Sequence, residues 1–366
     1  MITLHIFFDK GGFFSNITID FIEAIQPKTH YYYFENNLTK KDNINNVNSH
    51  NHLFQLIEDK IVNKVVFHSL HTFQFPLFSK IKSFNIKIAW VFWSFEYYQL
   101  PFNLSKLYSK ENSLFKFRKY ASLMFENMSL FLKGKIPSPL FINSKKYYSI
   151  INQVDEFYSF IEDDFFTIYS KSNTTQYSFL SYLNIDDLSN NITSEFKEKV
   201  IMVGHSGSPL LNHFEVLNEI KKIGNTSKIL IPVTNGNKKY IEKLKRKVSK
   251  ETTLNFQFLD KRLPLDEYYS LLSSVSVFFI NSYCQLGLGN IVFFLLNGTT
   301  IYFSEKSSTF TFLQRKGFHV FSIESLKSSS QIQKLTLEES LNNQNKIKEL
   351  ISVENVKKQW IKLLSE

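Results

Sequence analysis

The chain has 366 residues, of which 43% are hydrophobic and 21% are charged, the balance of an ordinary soluble protein. Its formal charge of +10 predicts a surface that attracts anions. A single cysteine, Cys284, excludes an internal disulfide and favours a reducing compartment. The first residues do not resemble a signal peptide, and no apolar run reaches the roughly 18 residues of a membrane span. We therefore expect a cytoplasmic protein, and the length favours two domains.

The amino-terminal half predicts a first α/β domain. A strand at residues 2–8 is followed by a turn containing Gly11 and Gly12, and apolar residues then recur at helical spacing over 17–25. This succession is typical of the start of a doubly wound domain. Further strands are predicted at 31–34, 64–68 and 86–92, helices at 53–61 and 75–84, and a loop at 40–52.

Residues 104–135 mix basic and apolar side chains at helical spacing. The mix suits a helix on an anionic membrane surface, where Lys116, Arg118 and Lys119 would meet lipid headgroups. A core helix with a solvated basic face fits the pattern equally well. Residues 143–160 predict another strand-to-helix unit, and the polar stretch 170–194 predicts the connection between the domains.

The carboxyl-terminal half contains three short apolar runs, at 200–203, 229–233 and 275–280, separated by segments with helical spacing. Such runs indicate a parallel sheet that is buried on both faces. A polar break follows each run, and parallel sheets bind ligands just beyond the carboxyl ends of their strands. We therefore expect the functional residues at that edge.

Two of these breaks are glycine loops at the start of a helix, at residues 204–208 and 285–290. Backbone amides at a helix start bind phosphate oxygens, and glycine permits close approach of the anion. A tight turn explains either loop alone, but two loops at one edge predict a diphosphate between them. The residues of this predicted site are Gly204, Ser206, Gly207, Ser208, Gln285, Gly287, Gly289 and Asn290.

Other chemistries find less support in the sequence. Neither glycine loop ends in the Gly-Lys-Ser/Thr of a Walker motif. His50 and His52 lie in a polar stretch without a nearby cysteine, which argues against a metal site. His68 and Glu96 each follow a predicted strand. Either side chain could act as a general base, or be an ordinary hydrogen-bonded surface residue.

Several motifs match those of a known family. Residues 203–208 with Asn212 and His213 match a Val-Gly-Asn-Ser-Gly turn followed by Asn-Glu-His, and residues 285–290 match Gln-Gln-Gly-Ile-Gly-Thr. Residues 265–272 match Phe-Asp-Ala-Tyr-Leu-Ala-Leu-Leu, and residues 93–98 match Trp-Gly-Ala-Asp-Leu-Tyr. The chain thus resembles the bacterial TDP-N-acetylfucosamine:lipid II N-acetylfucosaminyltransferases. Glu96 stands where that family has Asp, and Ser94-Phe95 replaces Gly-Ala.

The resemblance implies a GT-B fold, with two Rossmann-like doubly wound domains facing across a cleft. Residues 1–190 would bind the acceptor, residues 191–330 the nucleotide sugar, and residues 331–366 would form carboxyl-terminal helices. The implied reaction transfers a deoxyamino sugar from a TDP-sugar to a polyprenyl-diphosphate-linked glycan. The enzyme would be attached peripherally to the inner face of the cell membrane, with no nucleic-acid partner. The alternative is a catalytically inactive GT-B-like protein that binds a nucleotide or another anion as a regulator.

The resemblance also implies roles for individual residues. Glu96 would be the catalytic base, with His68 as the second candidate. No cofactor or metal would be required, because amides and the basic surface can carry the charge of the leaving group. The implied acceptor residues are Gly11, Gly12, Trp93 and Tyr97. The implied nucleoside and sugar contacts are Thr234, Asn235, Tyr240, the loop at 258–261 and Glu305.

Overall fold

The computed structural model describes residues 1–8, 13–35, 44–132, 144–169, 174–189, 200–224 and 227–365. Gly11, Gly12 and the predicted domain boundary at residue 190 lie outside these ranges. The strands are β1 (Thr3–Phe7), β2 (Tyr31–Phe34), β3 (Asn45–Val47), β4 (Lys64–His68), β5 (Lys87–Val91), β6 (Glu156–Ser159), β7 (Gln176–Phe179), β8 (Val200–Val203), β9 (Lys228–Pro232), β10 (Asn255–Leu259), β11 (Val275–Ile280), β12 (Thr300–Phe303) and β13 (Phe321–Ser322).

The helices alternate with these strands along most of the chain. They are α1 (Phe13–Ile25), α2 (His50–Glu58), α3 (Phe75–Lys82), α4 (Phe95–Tyr98), α5 (Ser113–Leu132), α6 (Ser144–Ile151), α7 (Glu162–Ile168), α8 (Asp186–Ser189), α9 (His213–Ile223), α10 (Lys238–Val248), α11 (Leu265–Ser273), α12 (Leu288–Leu296), α13 (Ser308–Arg315), α14 (Leu337–Leu350) and α15 (Val353–Ser365).

The chain forms two compact units. The first comprises Met1–Phe102, Met124–Asn184 and Val353–Glu366, and the second comprises Asn103–Leu123 and Ile185–Ser352. Helix α15 belongs to the first unit because its last turns are hydrogen-bonded there. The buried Lys64 Nζ donates to the carbonyl of Leu363 at 2.9 Å.

The first unit contains a parallel sheet in the order β3-β2-β1-β4-β5-β6-β7. The predicted strands at 31–34 and 64–68 are confirmed at those bounds. Two predictions about this unit are wrong. Residues 144–159 form helix α6 followed by strand β6, and the predicted loop at 40–52 contains β3. The reason for the second is that β3 is an edge strand, which lacks the apolar run of a central strand. The predicted connection at 170–194 contains the edge strand β7 and also the boundary between the two units, at Asn184 and Ile185.

The second unit contains a parallel sheet in the order β10-β9-β8-β11-β12-β13. Strand order reverses between β8 and β11, so the loops after these two strands flank the topological switch point, where doubly wound sheets bind ligands. These are the two predicted glycine loops. The predicted fold class, two parallel-sheet α/β domains, is confirmed.

Helix α5 confirms the helix predicted within residues 104–135 and has one buried and one exposed face. Phe115 is buried, with its ring centroid 5.2 Å from that of Tyr240. Among the side chains of α5 that the structure describes, the exposed apolar ones are Leu114, Phe117, Tyr120, Phe125, Met128 and Leu132. Across the described ranges, no helix combines the length and apolar character needed to cross a bilayer.

Candidate functional site

The loop after β8 begins with Gly204, whose φ of 66° is in the left-handed region that favours glycine. Its amide donates to the Phe279 carbonyl on β11 at 2.8 Å. A Cβ atom on Gly204 would lie 2.4 Å from Nε2 of His213. The imidazole of His213 therefore fills the space beside this glycine, so packing within the protein already requires glycine here.

Gly207 joins this loop to the loop after β9. Its amide donates to the Asn235 carbonyl at 2.6 Å, and its carbonyl accepts from the amide of Asn237 at 3.0 Å. A Cβ atom on Gly207 would lie 2.3 Å from the side chain of Ile241. The two loops thus form one backbone unit at the carboxyl edge of the sheet.

A cavity of about 290 Å³ opens at this edge. Two predicted donor residues, Thr234 and Asn235, lie in its wall, and the basic side chains of Lys261 and Arg262 are exposed at it. These cations favour a negatively charged ligand. The full lining is His205, Pro232, Thr234, Asn235, Leu259, Lys261, Arg262, Leu263, Leu265 and Tyr268.

Two side chains of the cavity wall, His205 and Tyr268, contact the second glycine loop. Gly287 has a φ of 66° and is the N-cap of α12. The ring of His205 lies against it, and the Tyr268 hydroxyl donates to Oδ1 of Asn290 at 3.3 Å. Because His205 and Tyr268 both line the cavity, the start of α12 lies beside it, as the sequence predicts for a shared site.

Gly289 lies in the first turn of α12 and differs from the other glycines of the site. A Cβ atom built on it would meet no atom of the described residues within 4 Å. The space beside Gly289 is therefore open, whereas that beside Gly204, Gly207 and Gly287 is filled by protein atoms.

The other predicted donor side chains are not among the residues that line the cavity. Tyr240 is fully buried, and its hydroxyl lies 3.0 Å from Nδ1 of His213. This contact fixes the orientation of the His213 ring. The Ser208 hydroxyl accepts from the amide of Leu210 at 3.3 Å. Glu305 is exposed, and its Oε1 accepts from the Ser322 hydroxyl at 2.7 Å. Ser206 is half-buried and Gln285 is buried.

In the first unit, Glu96 is only 4% exposed. Its Oε1 accepts from the indole N–H of Trp90 at 3.2 Å and from the amide of Trp93 at 2.8 Å. Its Oε2 is buried with no hydrogen-bond partner among the described residues. Burial raises the pKa of this carboxyl to about 8. Ser94, just before α4, has a φ of 79°, which is costly for a residue with a side chain.

His68, the second candidate base, lies in the buried layer of the first sheet. Its Nε2 is 3.0 Å from Nδ1 of His5, and its ring stacks on Phe7 with centroids 4.2 Å apart. Burial lowers the pKa of His68 to about 3. The imidazole is therefore neutral at pH 7 and is part of the core.

The two predicted acceptor residues that are described differ in exposure. Trp93 is half-buried and stacks on Tyr182 with centroids 4.8 Å apart. Tyr97 is buried, and its hydroxyl is 3.0 Å from that of Tyr148. Only Trp93 of this pair thus has a partly exposed ring.

Among the polar residues of the cavity wall, sequence reasoning missed His205, Arg262 and Tyr268. Arg262 had a usable signal, because Lys261-Arg262 is a basic pair in the loop that follows β10. His205 lay within a predicted loop but was passed over for its glycine and serine neighbours. Within the ranges that the structure covers, no three His, Cys, Asp or Glu side chains are grouped as a metal would require.

Comparison with known families now identifies the chain. Residues 162–366, more than half of the sequence, match the profile of the 4-alpha-L-fucosyltransferases, glycosyl transferase group 56. The chain belongs to this family. It is therefore a nucleotide-sugar glycosyltransferase, and the predicted family resemblance and enzyme class are confirmed. No curated protein sequence matches this family member.

Solved structures confirm the fold of this 4-alpha-L-fucosyltransferase family member. HepE from Anabaena, solved in complex with UDP, superposes with a TM-score of 0.63 at 10% identity, covering 100% of both chains. A glycosyltransferase from Rickettsia africae has a TM-score of 0.61 at 10% identity, over 99% of this chain and 97% of that one. Sucrose-phosphate synthase from Thermosynechococcus elongatus has a TM-score of 0.58 at 11% identity, over 99% and 98%. These similarities show that the fold is GT-B.

Proposed function

We propose that this enzyme transfers a deoxyamino sugar of the N-acetylfucosamine type from a TDP-sugar to a polyprenyl-diphosphate-linked glycan. The observation that carries the donor half is the cavity at the carboxyl edge of the second sheet, with Thr234 and Asn235 in its wall and two cations beside it. A nucleotide diphosphate has the charge and the hydrogen-bonding groups that this wall complements. HepE, which shares the fold, was solved with UDP.

The diphosphate in this proposal lies between the loop at 204–208 and the start of α12. The first amides of α12 have no partner within the helix, and the macrodipole favours an anion there. Lys261 and Arg262 add two formal charges at the cavity. These groups stabilise the departing nucleotide diphosphate without a metal, so the enzyme should keep its activity in the presence of a chelator.

The acceptor hydroxyl must lose its proton as the anomeric bond breaks, and we assign this step to Glu96. Trp90 and Trp93 hold Oε1, which leaves Oε2 as the oxygen that would take the proton. With a pKa of about 8, only a minor fraction of Glu96 is ionised at pH 7, so turnover that depends on this base should rise as the pH approaches 8. His68 stays the second candidate: it is as buried as Glu96, and its ring stacks on Phe7.

A polyprenyl acceptor stays in the bilayer, so the enzyme must dock there, and α5 supplies the surface in this proposal. Leu114, Phe117, Phe125, Met128 and Leu132 are exposed and share one helical face. Lys116, Arg118 and Lys119 lie on the same helix, and each basic residue near an anionic surface contributes about 1 kcal/mol.

The decisive experiment is turnover by the purified protein, with candidate TDP-sugars and a polyprenyl-diphosphate glycan presented in vesicles. Sugar transfer from one donor supports the whole proposal. Hydrolysis of a TDP-sugar without transfer to the glycan would support the proposed donor and indicate that the acceptor is a different molecule. Nucleotide binding with no turnover of any donor would favour the catalytically inactive regulator.

A further inference from the structure

His205 connects the two glycine loops of the second unit. Its ring lies so close to Gly287 that a Cβ atom there would be 2.6 Å from Nδ1 and 2.8 Å from Cε1. The same side chain lines the cavity.

The surroundings of the ring determine which nitrogen carries the proton. Nδ1 is buried and has no hydrogen-bond partner among the described residues. Burying an N–H without an acceptor is costly, whereas a lone pair beside the Cα–H of Gly287 is tolerated. We therefore assign the proton to Nε2, on the edge of the ring farther from Gly287. Burial lowers the pKa of His205 to about 4, so the neutral ring offers a single N–H donor at pH 7.

We propose that Nε2–H of His205 donates a hydrogen bond to the diphosphate of the nucleotide-sugar donor. This inference rests on the proposed function and adds to it a binding residue that is a neutral donor and not a cation. Two neighbours favour a phosphate oxygen as the acceptor. One is the N-terminus of α12 at Gly287, and the other is the basic pair at the cavity, Lys261 and Arg262.

The charged and titratable groups around His205 set the expected pH dependence. His213 approaches from α9, Lys261 and Arg262 from the loop after β10, and Tyr268 from α11, while α12 has no titratable residue. Because the ring stays neutral well below pH 7, the affinity ratio between the parent and His205→Leu should be constant from pH 5.5 to 7.5. A ratio that grows as the pH falls would mean that His205 binds as a cation, which would overturn the neutral-donor assignment.

The test is calorimetric titration of the full chain with TDP, with UDP for comparison, and with thymidine at millimolar concentration. For His205→Leu we expect roughly tenfold weaker TDP binding, the effect of one lost hydrogen bond to a charged group, and unchanged thymidine binding. His205→Asn keeps an N–H donor and should retain most of the affinity for TDP. His319→Leu, at a side chain 45% exposed on the same unit, is the matched control and should bind as the parent does.

The outcomes separate this inference from the proposed function. If the parent binds TDP and His205→Leu binds it equally well, His205 does not contact the diphosphate. If the parent binds neither TDP nor UDP, the proposed function itself fails. A loss of thymidine binding in His205→Leu would show that the variant is misfolded. In that case TDP affinity would be compared between His205→Gln, which keeps an N–H donor, and His205→Ala, which does not. Equal TDP affinity in these two variants would overturn the inference.

Discussion

The backbones of Gly207 and Gly236 are in direct contact. A Cβ atom on Gly236 would lie 2.3 Å from both the carbonyl carbon and the carbonyl oxygen of Gly207. Two hydrogen bonds flank this contact, from Gly207 to Asn235 and from Asn237 to Gly207. The loops after β8 and β9 therefore keep one fixed spacing, and this spacing shapes the wall of the cavity.

We expect Gly236→Ala to lower the free energy of unfolding by about 3 kcal/mol, because the added methyl group meets backbone that cannot rotate away. Gly224→Ala is the matched control. Gly224 also has a positive φ, but a Cβ atom there meets nothing within 4 Å in the described part of the chain. Gly224→Ala should therefore lower the free energy of unfolding by only about 1 kcal/mol, through backbone strain. Denaturant unfolding measures both values, and equal losses would show that the loop contact is unimportant.

Gly289→Ala should raise stability and lower donor affinity. The open space beside Gly289 accepts a methyl group, and alanine in a helix is favoured over glycine by roughly 0.5–1 kcal/mol. If the diphosphate occupies that space, the methyl group displaces it. Thermal unfolding and titration with TDP measure the two effects. A stabilised variant with unchanged TDP affinity would contradict the placement of the diphosphate at α12.

Glu96→Gln should change both turnover and the pH dependence of stability. The folded pKa of about 8 lies above the unfolded value, so the protonated carboxyl stabilises the fold at low pH. This contribution is lost as the pH rises from about 4.5 through 8, by at most about 1.4 kcal/mol per pH unit. Glutamine has no such titration, so the variant should lose less stability than the parent between pH 6 and 9.

Turnover of Glu96→Gln should fall by two or more orders of magnitude, roughly the effect of removing a general base. TDP affinity serves as the control, because Glu96 and the cavity belong to different units. Near-parental turnover with intact TDP binding would show that the base is another group, while the pH effect on stability would still stand.

Mild acid should destabilise the protein through its buried histidines. Burial lowers the pKa of His68 and His213 to about 3, below the unfolded value near 6.5. The unfolded chain thus binds more protons, and the free energy of unfolding falls as the pH drops below about 6.5. His68→Gln should reduce this slope by about 1 kcal/mol per pH unit between pH 4 and 6. An unchanged slope in denaturant titrations would contradict the buried neutral state of His68.

Membrane binding should depend on the exposed face of α5. Phe117 and Phe125 are 69% and 78% exposed. Replacing both by Ser should abolish cosedimentation with anionic vesicles, and reversing Lys116, Arg118 and Lys119 to Glu should do the same. High salt should weaken binding of the parent. Leu337→Ser, at a leucine 77% exposed on α14, is the control. If both α5 variants sediment as the parent does, α5 is not the docking surface.

The sequence alone determined the central strands and the two glycine loops. β4, β8 and β11 each contain a short apolar run, which is typical of strands buried on both faces. The polar breaks after β8 and β11 had to meet at one edge because parallel strands end on the same side. The proximity of residues 204–208 to residues 285–290 follows from that rule.

Only the tertiary structure decided what surrounds each functional group. His213 fills the space beside Gly204, and His205 fills the space beside Gly287, a residue far from it in the chain. The burial of Glu96 under Trp90 is likewise a property of packing, which no local pattern encodes. Edge strands such as β3 pair on one side only, so their residues carry no apolar signature. Spacing along the chain predicts which side chains reach an edge, but burial and contact depend on side chains contributed by other segments.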